Sequence, residues 1–139
     1  MNELSDKIYD EILSLCKQGD KEVNAQNFSK AIENYKLALN LIPEPKNDWD
    51  SSTWIYTALG DTYFFLEEYD NGLDCLFQAL KCPNGMGNPF IVLRIGQCFF
   101  EKNNVKMARE YLLQAYMLEG ADIFATQEKK YFELIKNII

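Results

Sequence analysis

Apolar residues recur every three or four positions along most of the chain, which is the spacing of one face of an α-helix. In the first segment this stripe consists of Leu4, Ile8, Ile12, Leu15 and Val23. Prolines, glycines and polar turn residues separate one periodic segment from the next. The pattern therefore predicts an all-α protein with seven helices, at about residues 5–26, 28–41, 51–67, 69–81, 89–102, 105–118 and 122–138.

Several of the predicted helix starts carry residues that cap helices well. Asn27 is placed to cap the second helix, and Ser51 or Ser52 to cap the third, because short polar side chains accept hydrogen bonds from free helix amides. Asn88 followed by a proline predicts the start of the fifth helix. These signals agree with the boundaries that the apolar spacing predicts.

The seventh predicted helix is the last element of the chain. Most of its apolar residues fall on one face, and they are Phe124, Tyr131, Leu134, Ile135 and Ile138. A stack of helices needs a final element to cover its last open apolar face. The segment 122–138 is therefore expected to be a capping helix.

Nine small residues repeat at one pair of spacings. After each of three glycines, the next small residue lies 12 positions on and the third lies 7 further. The three sets are Gly19, Ala31 and Ala38; Gly60, Gly72 and Ala79; and Gly96, Ala108 and Ala115. This is an internal repeat, and small side chains let two helices approach closely. Each set is expected to mark one pair of packed helices.

One irregularity interrupts the repeat. The first two sets are offset by 41 residues and the second two by 36, so extra residues lie between the first and second pairs, at 43–50. They either lengthen the loop or add a turn to the third helix. Trp49 lies in this insert and is expected to fold back on its own hairpin, because exposed tryptophan is uncommon.

Three segments resemble the tetratricopeptide repeat. They read KQGDKEVNAQNFSKAIENYKLALNLIP, ALGDTYFFLEEYDNGLDCLFQALKCP and RIGQCFFEKNNVKMAREYLLQAYMLEG. The resemblance covers about residues 12–120, with repeats at about 12–45, 53–86 and 89–120 in a single domain, 1–139. The second repeat departs from the family at Gly72, where alanine is usual, and at Pro83, which comes one residue early.

The resemblance implies three helical hairpins in a right-handed superhelix, followed by the capping helix. The first helix of each hairpin lines a concave groove that in this family binds a peptide or a helix of another protein. The matching groove positions here are Leu13, Cys16, Lys17, Asp20, Asn24, Trp54, Thr57, Asp61, Phe64, Phe65, Phe90, Arg94, Gln97, Phe100 and Glu101.

One subclass of the family holds the terminal carboxylate of chaperones with lysines, an arginine and two asparagines. This chain matches that set only at Arg94. The other positions hold Cys16, Asp20, Ala58 and Phe90. A co-chaperone that clamps a carboxylate is therefore not expected.

Alternatives stay open for the groove residues. The cations Lys17 and Arg94 either contact a partner or pair with Asp20 and another nearby acid. The aromatic side chains either anchor a partner or pack within the fold, and those that fall toward the groove are Trp54, Phe65 and Phe90.

Composition and charge narrow the function classes. The chain has a formal net charge of −7 and no histidine. Nucleic acid is not an expected partner, since phosphate binding needs a basic surface. A cationic protein partner fits the charge, and so does an acidic surface that only aids solubility. Without histidine or a glycine-rich phosphate loop, neither an enzyme nor a cofactor or metal site is expected.

The expected location is the cytoplasm. The four cysteines form no CxxC pair and fall within helical patterns, so they are expected to be reduced thiols. The first residues lack the pattern of a signal peptide. No apolar run is long enough for a membrane helix, so membrane insertion is not expected.

The last third of the chain carries a weaker resemblance. The segments LRIGQCFFE, AREYLLQAYMLEGADIF and KKYFELI are similar to small bacterial tetratricopeptide proteins, some of which are immunity partners of secreted toxins. The leading hypothesis is a non-enzymatic protein-binding module with an acidic and aromatic groove, and one form of it is an immunity protein that neutralises a cationic bacterial toxin. A secretion chaperone and a generic assembly adaptor are the alternatives.

Overall fold

The computed structural model describes residues 4–139, so residues 1–3 of the expected domain lie outside the described residues. Within 4–139 the chain forms seven α-helices and no strand, which confirms the all-α prediction. The α-helices are α1 (Asp6–Asn24), α2 (Phe28–Asn40), α3 (Asp50–Phe65), α4 (Tyr69–Leu80), α5 (Pro89–Glu101), α6 (Val105–Glu119) and α7 (Lys129–Ile135). Short 3₁₀ helices occupy Lys46–Asp48, Ala121–Phe124 and Lys136–Ile138.

Three hairpins are stacked in chain order. Helices α1 and α2, α3 and α4, and α5 and α6 pack as pairs, and each pair also contacts the next. The glycines of the internal repeat lie where the two helices of a hairpin cross. A Cβ atom on Gly19, Gly60 or Gly96 would lie 2.6, 2.5 or 2.8 Å from a side chain of the second helix. These side chains are Tyr35, Leu76 and Leu112.

The alanines of the repeat are buried completely. Ala31, Ala38, Ala79, Ala108 and Ala115 have no exposed surface. Gly72 differs from the crossing glycines, since a Cβ atom there would make only ordinary contacts, the nearest at 3.4 Å. The spacing of small residues therefore predicts the helix packing correctly, and Gly72 is the one described member whose size the packing does not require.

The insert at residues 43–50 changes the start of the third helix. Trp49 is buried against the first hairpin, and its indole Nε1 donates to the carbonyl oxygen of Pro43 at 3.0 Å, so it folds back as predicted. Because Trp49 takes the N-cap position with an extended backbone, α3 begins at Asp50. The prediction that Ser51 or Ser52 caps α3 is wrong, since both lie buried in its first turn.

The segment predicted as one capping helix, 122–138, is broken. It forms a 3₁₀ helix at Ala121–Phe124, a turn, and then α7 at Lys129–Ile135. The turn brings the side chain of Gln127 to that of Gln97 on α5, whose buried amide needs a hydrogen-bond partner. Ile138, predicted on the packed face, is half exposed.

The broken segment still covers the last hairpin. Its buried side chains join one apolar cluster with residues of α5 and α6, and those from the segment are Ile123, Phe124, Tyr131 and Ile135. The capping role is therefore filled by two short elements rather than one helix. None of the helices in residues 4–139 has the length and apolar character needed to cross a bilayer.

Candidate functional site

The first helix of each hairpin presents one stripe of side chains on the same side of the stack. Residues 7 or 11 apart lie on one face of a helix, so the stripe on α3 contains Trp54, Asp61 and Phe65. The stripe on α1 contains Tyr9, Leu13, Cys16 and Asp20, and that on α5 contains Phe90, Arg94, Gln97 and Glu101. The Tyr9–Trp54 ring pair joins the stripe of α1 to that of α3, and contacts between α3 and α5 join the other two. Together they form the concave face.

Aromatic rings lie at the edge formed by the starts of α1, α3 and α5. The ring centroids of Tyr9 and Trp54 are 6.4 Å apart in a T-shaped pair. These side chains are 39% and 40% exposed, and Phe90 is 61% exposed. Tyr9 was not predicted because it precedes the first repeat as drawn from sequence. The available signal was its position four residues before Leu13 on the same helix face.

Carboxylates occupy the centre of the concave face. Asp20 accepts a hydrogen bond from the Tyr35 hydroxyl at 2.5 Å. Burial raises the pKa of Tyr35, and Asp20 raises it further, so this phenol stays protonated. Asp61 accepts from Arg94 Nε at 2.9 Å, so Arg94 pairs with a nearby acid, one of its two predicted alternatives. Two carboxylates against one guanidinium leave a net negative centre.

The far edge is formed by the end of α3. Phe65 is 47% exposed and stacks on Phe28, with ring centroids 5.7 Å apart. The Arg94 guanidinium lies 4.4 Å from the ring centroid of Phe64 and 5.3 Å from that of Phe65. Arg94 therefore pairs with Asp61 and also packs against the rings of Phe64 and Phe65. Phe28 was not predicted, since sequence marked it only as the start of a helix.

The end of the α5 stripe is covered by the C-terminal segment. Gln97 is fully buried, and its side chain donates to Gln127 Oε1 at 2.8 Å and accepts from Arg94 at 2.7 Å. The carboxylate of Glu101 accepts from the Tyr131 hydroxyl at 2.7 Å and pairs with Lys130 at 2.9 Å. The structure therefore places Gln97 out of reach of a partner and engages Glu101 within the chain.

Two further predicted positions lie on the margins. Thr57 is partly buried, and its hydroxyl donates to the carbonyl oxygen of Thr53 within α3 at 2.7 Å. Asn24 is exposed at the end of α1.

Lys17 lies away from the centre of the concave face. It borders a shallow cleft along α1 that Leu13 of the concave stripe also lines, together with Asp10, Ser14, Gln18 and Lys21. The predicted pairing of Lys17 with Asp20 is not among the ion pairs of residues 4–139.

The thiols of the described chain are free and weakly acidic. Burial, followed by the charge of Asp20, raises the pKa of Cys16 to about 11. Burial raises the pKa of Cys98 to about 12. Across residues 4–139 no group of three or more acidic or cysteine side chains is placed to hold a metal ion.

Comparison with known proteins identifies the repeat. Residues 91–122 match the family model described as tetratricopeptide repeat. These residues are similar to a tetratricopeptide repeat, and solved structures show that the chain has the fold of tetratricopeptide repeat domains. No curated protein sequence matches the chain.

Solved tetratricopeptide structures resemble the whole chain. The Yersinia enterocolitica type III secretion chaperone SycD, in complex with a peptide of the translocator YopD, is 14% identical with a TM-score of 0.75, covering 98% of this chain and 95% of that one. The C-terminal domain of a putative Plasmodium falciparum FK506-binding protein is 18% identical with a TM-score of 0.78, covering 97% and 93%. The second such domain of human RPAP3, with the HSP70 peptide SGPTIEEVD, is 12% identical with a TM-score of 0.72, covering 94% and 96%.

Proposed function

We propose that the chain is a non-enzymatic protein-binding module whose concave face holds a peptide or helix of another protein. The observation that carries the proposal is the exposure of large aromatic side chains on both sides of a negative centre. Trp54 and Phe65 lie about half exposed on α3, with Asp61 between them along the helix. Aromatic anchors beside charged groups are typical of protein interfaces.

The chemistry of the centre selects the sign of the ligand's charge. The peptide SGPTIEEVD in the RPAP3 structure is acidic, as its letters show. In this chain Asp20 would repel an acidic ligand, and the one guanidinium at the centre, that of Arg94, is already paired with Asp61. The expected ligand therefore carries lysine or arginine between apolar side chains, which fits the net charge of −7.

A chaperone that holds a segment of another protein is the favoured biological setting. The SycD structure, which holds a translocator peptide, overlaps this chain over almost its full length. The same surface suits the other two predicted roles. Immunity against a cationic toxin and assembly of a larger complex stay predictions, and each requires a basic partner surface.

The proposal is tested by isolating a partner with the full-length chain from extracts of its native source and titrating it by calorimetry. Trp54→Ala should weaken binding by about 2 kcal/mol or more, because a tryptophan that anchors an interface contributes about that much. Asp20→Asn keeps an acceptor for the Tyr35 hydroxyl but removes a charge, so it should weaken binding and reduce its dependence on salt.

Leu37→Ala is the matched control. Leu37 is an exposed apolar residue on α2, outside the concave stripes, so its removal should leave the affinity unchanged. If the partner binds all three variants as it binds the parent chain, the concave face is not the binding site.

A further inference from the structure

The spacing of side chains along α3 constrains the shape of the ligand. Trp54, Asp61 and Phe65 are separated by 7 and 4 residues and lie on one face of the helix. At 1.5 Å per residue, the two aromatic anchors are about 16 Å apart along the axis, with the carboxylate about 10 Å from Trp54. A ligand that uses all three groups must match this spacing.

We infer that the occupant of the concave face is an amphipathic α-helix of another protein that lies lengthwise along α3. It carries apolar side chains at i and i+11 and a lysine or arginine between them. The cation is at i+7 when the ligand runs parallel to α3 and at i+4 when it runs antiparallel. This inference rests on the proposed function and adds the conformation and register of the ligand.

A helix matches the spacing better than an extended peptide. Positions i, i+4, i+7 and i+11 fall on one face of an α-helix and have the same rise as the groups on α3. An extended segment would cover about 16 Å in about five residues. Its first and last side chains would then point to opposite sides, because alternate residues face opposite ways in a strand.

The walls of the face support the same placement. Tyr9 stands beside Trp54 and Phe28 stacks on Phe65, so each anchor point is a pair of rings rather than a single ring. The third repeat offers less room, since Gln127 and Tyr131 already contact the end of its stripe. A ligand helix therefore lies over α1 and α3, the two helices whose stripes remain open.

The charges at the centre of the concave face determine which residue type the ligand carries between its two apolar anchors. Asp20 accepts from the Tyr35 hydroxyl and Asp61 pairs with Arg94, and each acid directly follows the crossing glycine of its helix, so the two acids lie at equivalent points of neighbouring stripes. Arg94 balances Asp61 and is held in place by its contact with Phe64. The acid left for the ligand is Asp20, which holds the position on α1 that Asp61 holds on α3. One further cation from the ligand completes the balance, which favours lysine or arginine there over a neutral residue.

A peptide library gives a direct test. Random 18-residue peptides displayed on phage are selected on the full-length chain, and binders that also bind the double variant Trp54→Ala with Phe65→Ala are removed. Both substituted side chains are about half exposed, and the melting temperature of the double variant is checked first. Selected peptides are synthesised, and their affinity and circular dichroism are measured with and without the chain.

The expected result is a set of peptides that become helical on binding and share the apolar, cationic and apolar pattern at i, i+4 or i+7, and i+11. Replacing the cation by glutamate, or moving it two positions, should weaken binding about tenfold or more, which equals loss of about 1.4 kcal/mol. A peptide of unchanged register with a surface lysine replaced elsewhere serves as the control.

Two other results are distinguishable. Peptides that need Trp54 and Phe65 but bind in an extended or proline-rich form, or with other spacings, would overturn the helical register and leave the proposed function standing. If no selected peptide depends on these two residues, the proposed function fails, and the register fails with it.

Discussion

The stripes of α3 and α5 hold equivalent positions in neighbouring repeats, but the C-terminal segment covers the end of the α5 stripe and leaves that of α3 open. Asp61 follows the crossing glycine of α3, and Gln97 follows that of α5. Asp61 keeps part of its surface in water beside Arg94, whereas Gln97 is fully buried against Gln127. A neutral amide can be buried once its hydrogen bonds are made, but a lone carboxylate cannot. At this position an aspartate therefore goes with an open stripe, and a glutamine goes with a stripe that the C-terminal segment covers.

Removing the C-terminal segment, which covers the third repeat, should lower the stability of the protein more than any single substitution in α3 or α5. Deletion of residues 122–139 exposes apolar side chains of α5 and α6, among them Leu93 and Leu112. At about 25 cal/mol per Å², a few hundred Å² of newly exposed apolar surface would cost several kcal/mol. That is a large share of a typical unfolding free energy of about 5–15 kcal/mol. The truncated chain should aggregate or melt far below the full chain in calorimetry.

A shorter deletion is the control for this truncation. Residues 136–139 are exposed, so their removal should change the melting temperature little. A soluble chain ending at residue 121 with the melting temperature of the full chain would show that the segment does not stabilise the third repeat.

Sequence reasoning succeeded where structure follows from local pattern. Apolar spacing places the helices to within one or two residues outside the insert and the terminus, and the glycine spacing predicts crossings such as Gly60 against Leu76. Both signals act within a single hairpin. The fold of the three hairpins could therefore be predicted before any contact was known.

Sequence reasoning failed where a distant partner or a small rotation decides the structure. The break before α7 depends on Gln97, thirty residues away from the Gln127 side chain that it bonds. At about 100° per residue, Lys17 lies about 60° around α1 from Asp20, and this rotation places it beside the open stripe rather than on it. Tyr9 was missed because the repeat boundary was drawn after it.

Two phenylalanine substitutions should separate the open stripe of α3 from the part of α5 that the C-terminal segment covers. Phe100 packs on Tyr131 with ring centroids 5.2 Å apart, so Phe100→Ala should lower the unfolding free energy by about 2 kcal/mol or more. Phe65→Ala should cost about 1 kcal/mol or less of stability, because Phe65 is already about half exposed, yet it should weaken ligand binding. Denaturant unfolding and peptide titration measure the two effects. The distinction between the stripes fails if both variants lose stability equally and neither loses affinity.

Alanine substitutions at glycine should show that the two repeats share one packing rule although their faces differ. Gly60→Ala and Gly96→Ala place a Cβ atom 2.5 and 2.8 Å from Leu76 and Leu112, so each should cost about 1–3 kcal/mol through overpacking.

Gly72→Ala should have the opposite sign. Its Cβ atom fits at 3.4 Å, and alanine is better than glycine within a helix by about 0.8–1 kcal/mol. Thermal unfolding of the three variants gives the sign directly. A destabilised Gly72→Ala variant would mean that the second hairpin is packed more tightly at that point than its contacts indicate.

Thiol alkylation should give the smallest effect and the most direct report on the open face. Cys16 lies on the stripe of α1, partly exposed, and its pKa is raised to about 11 by burial and by Asp20. Because only the thiolate reacts, its rate with iodoacetamide should be low at pH 8 and rise about tenfold per pH unit up to about pH 10. Asp20→Asn removes one cause of the raised pKa, so it should speed the reaction at pH 8. Cys98, buried on α5, should react only on unfolding, and a peptide bound to the concave face should slow Cys16 alone. Mass spectrometry follows each site, and a Cys16 rate that levels off below pH 9 would contradict the expected ionisation.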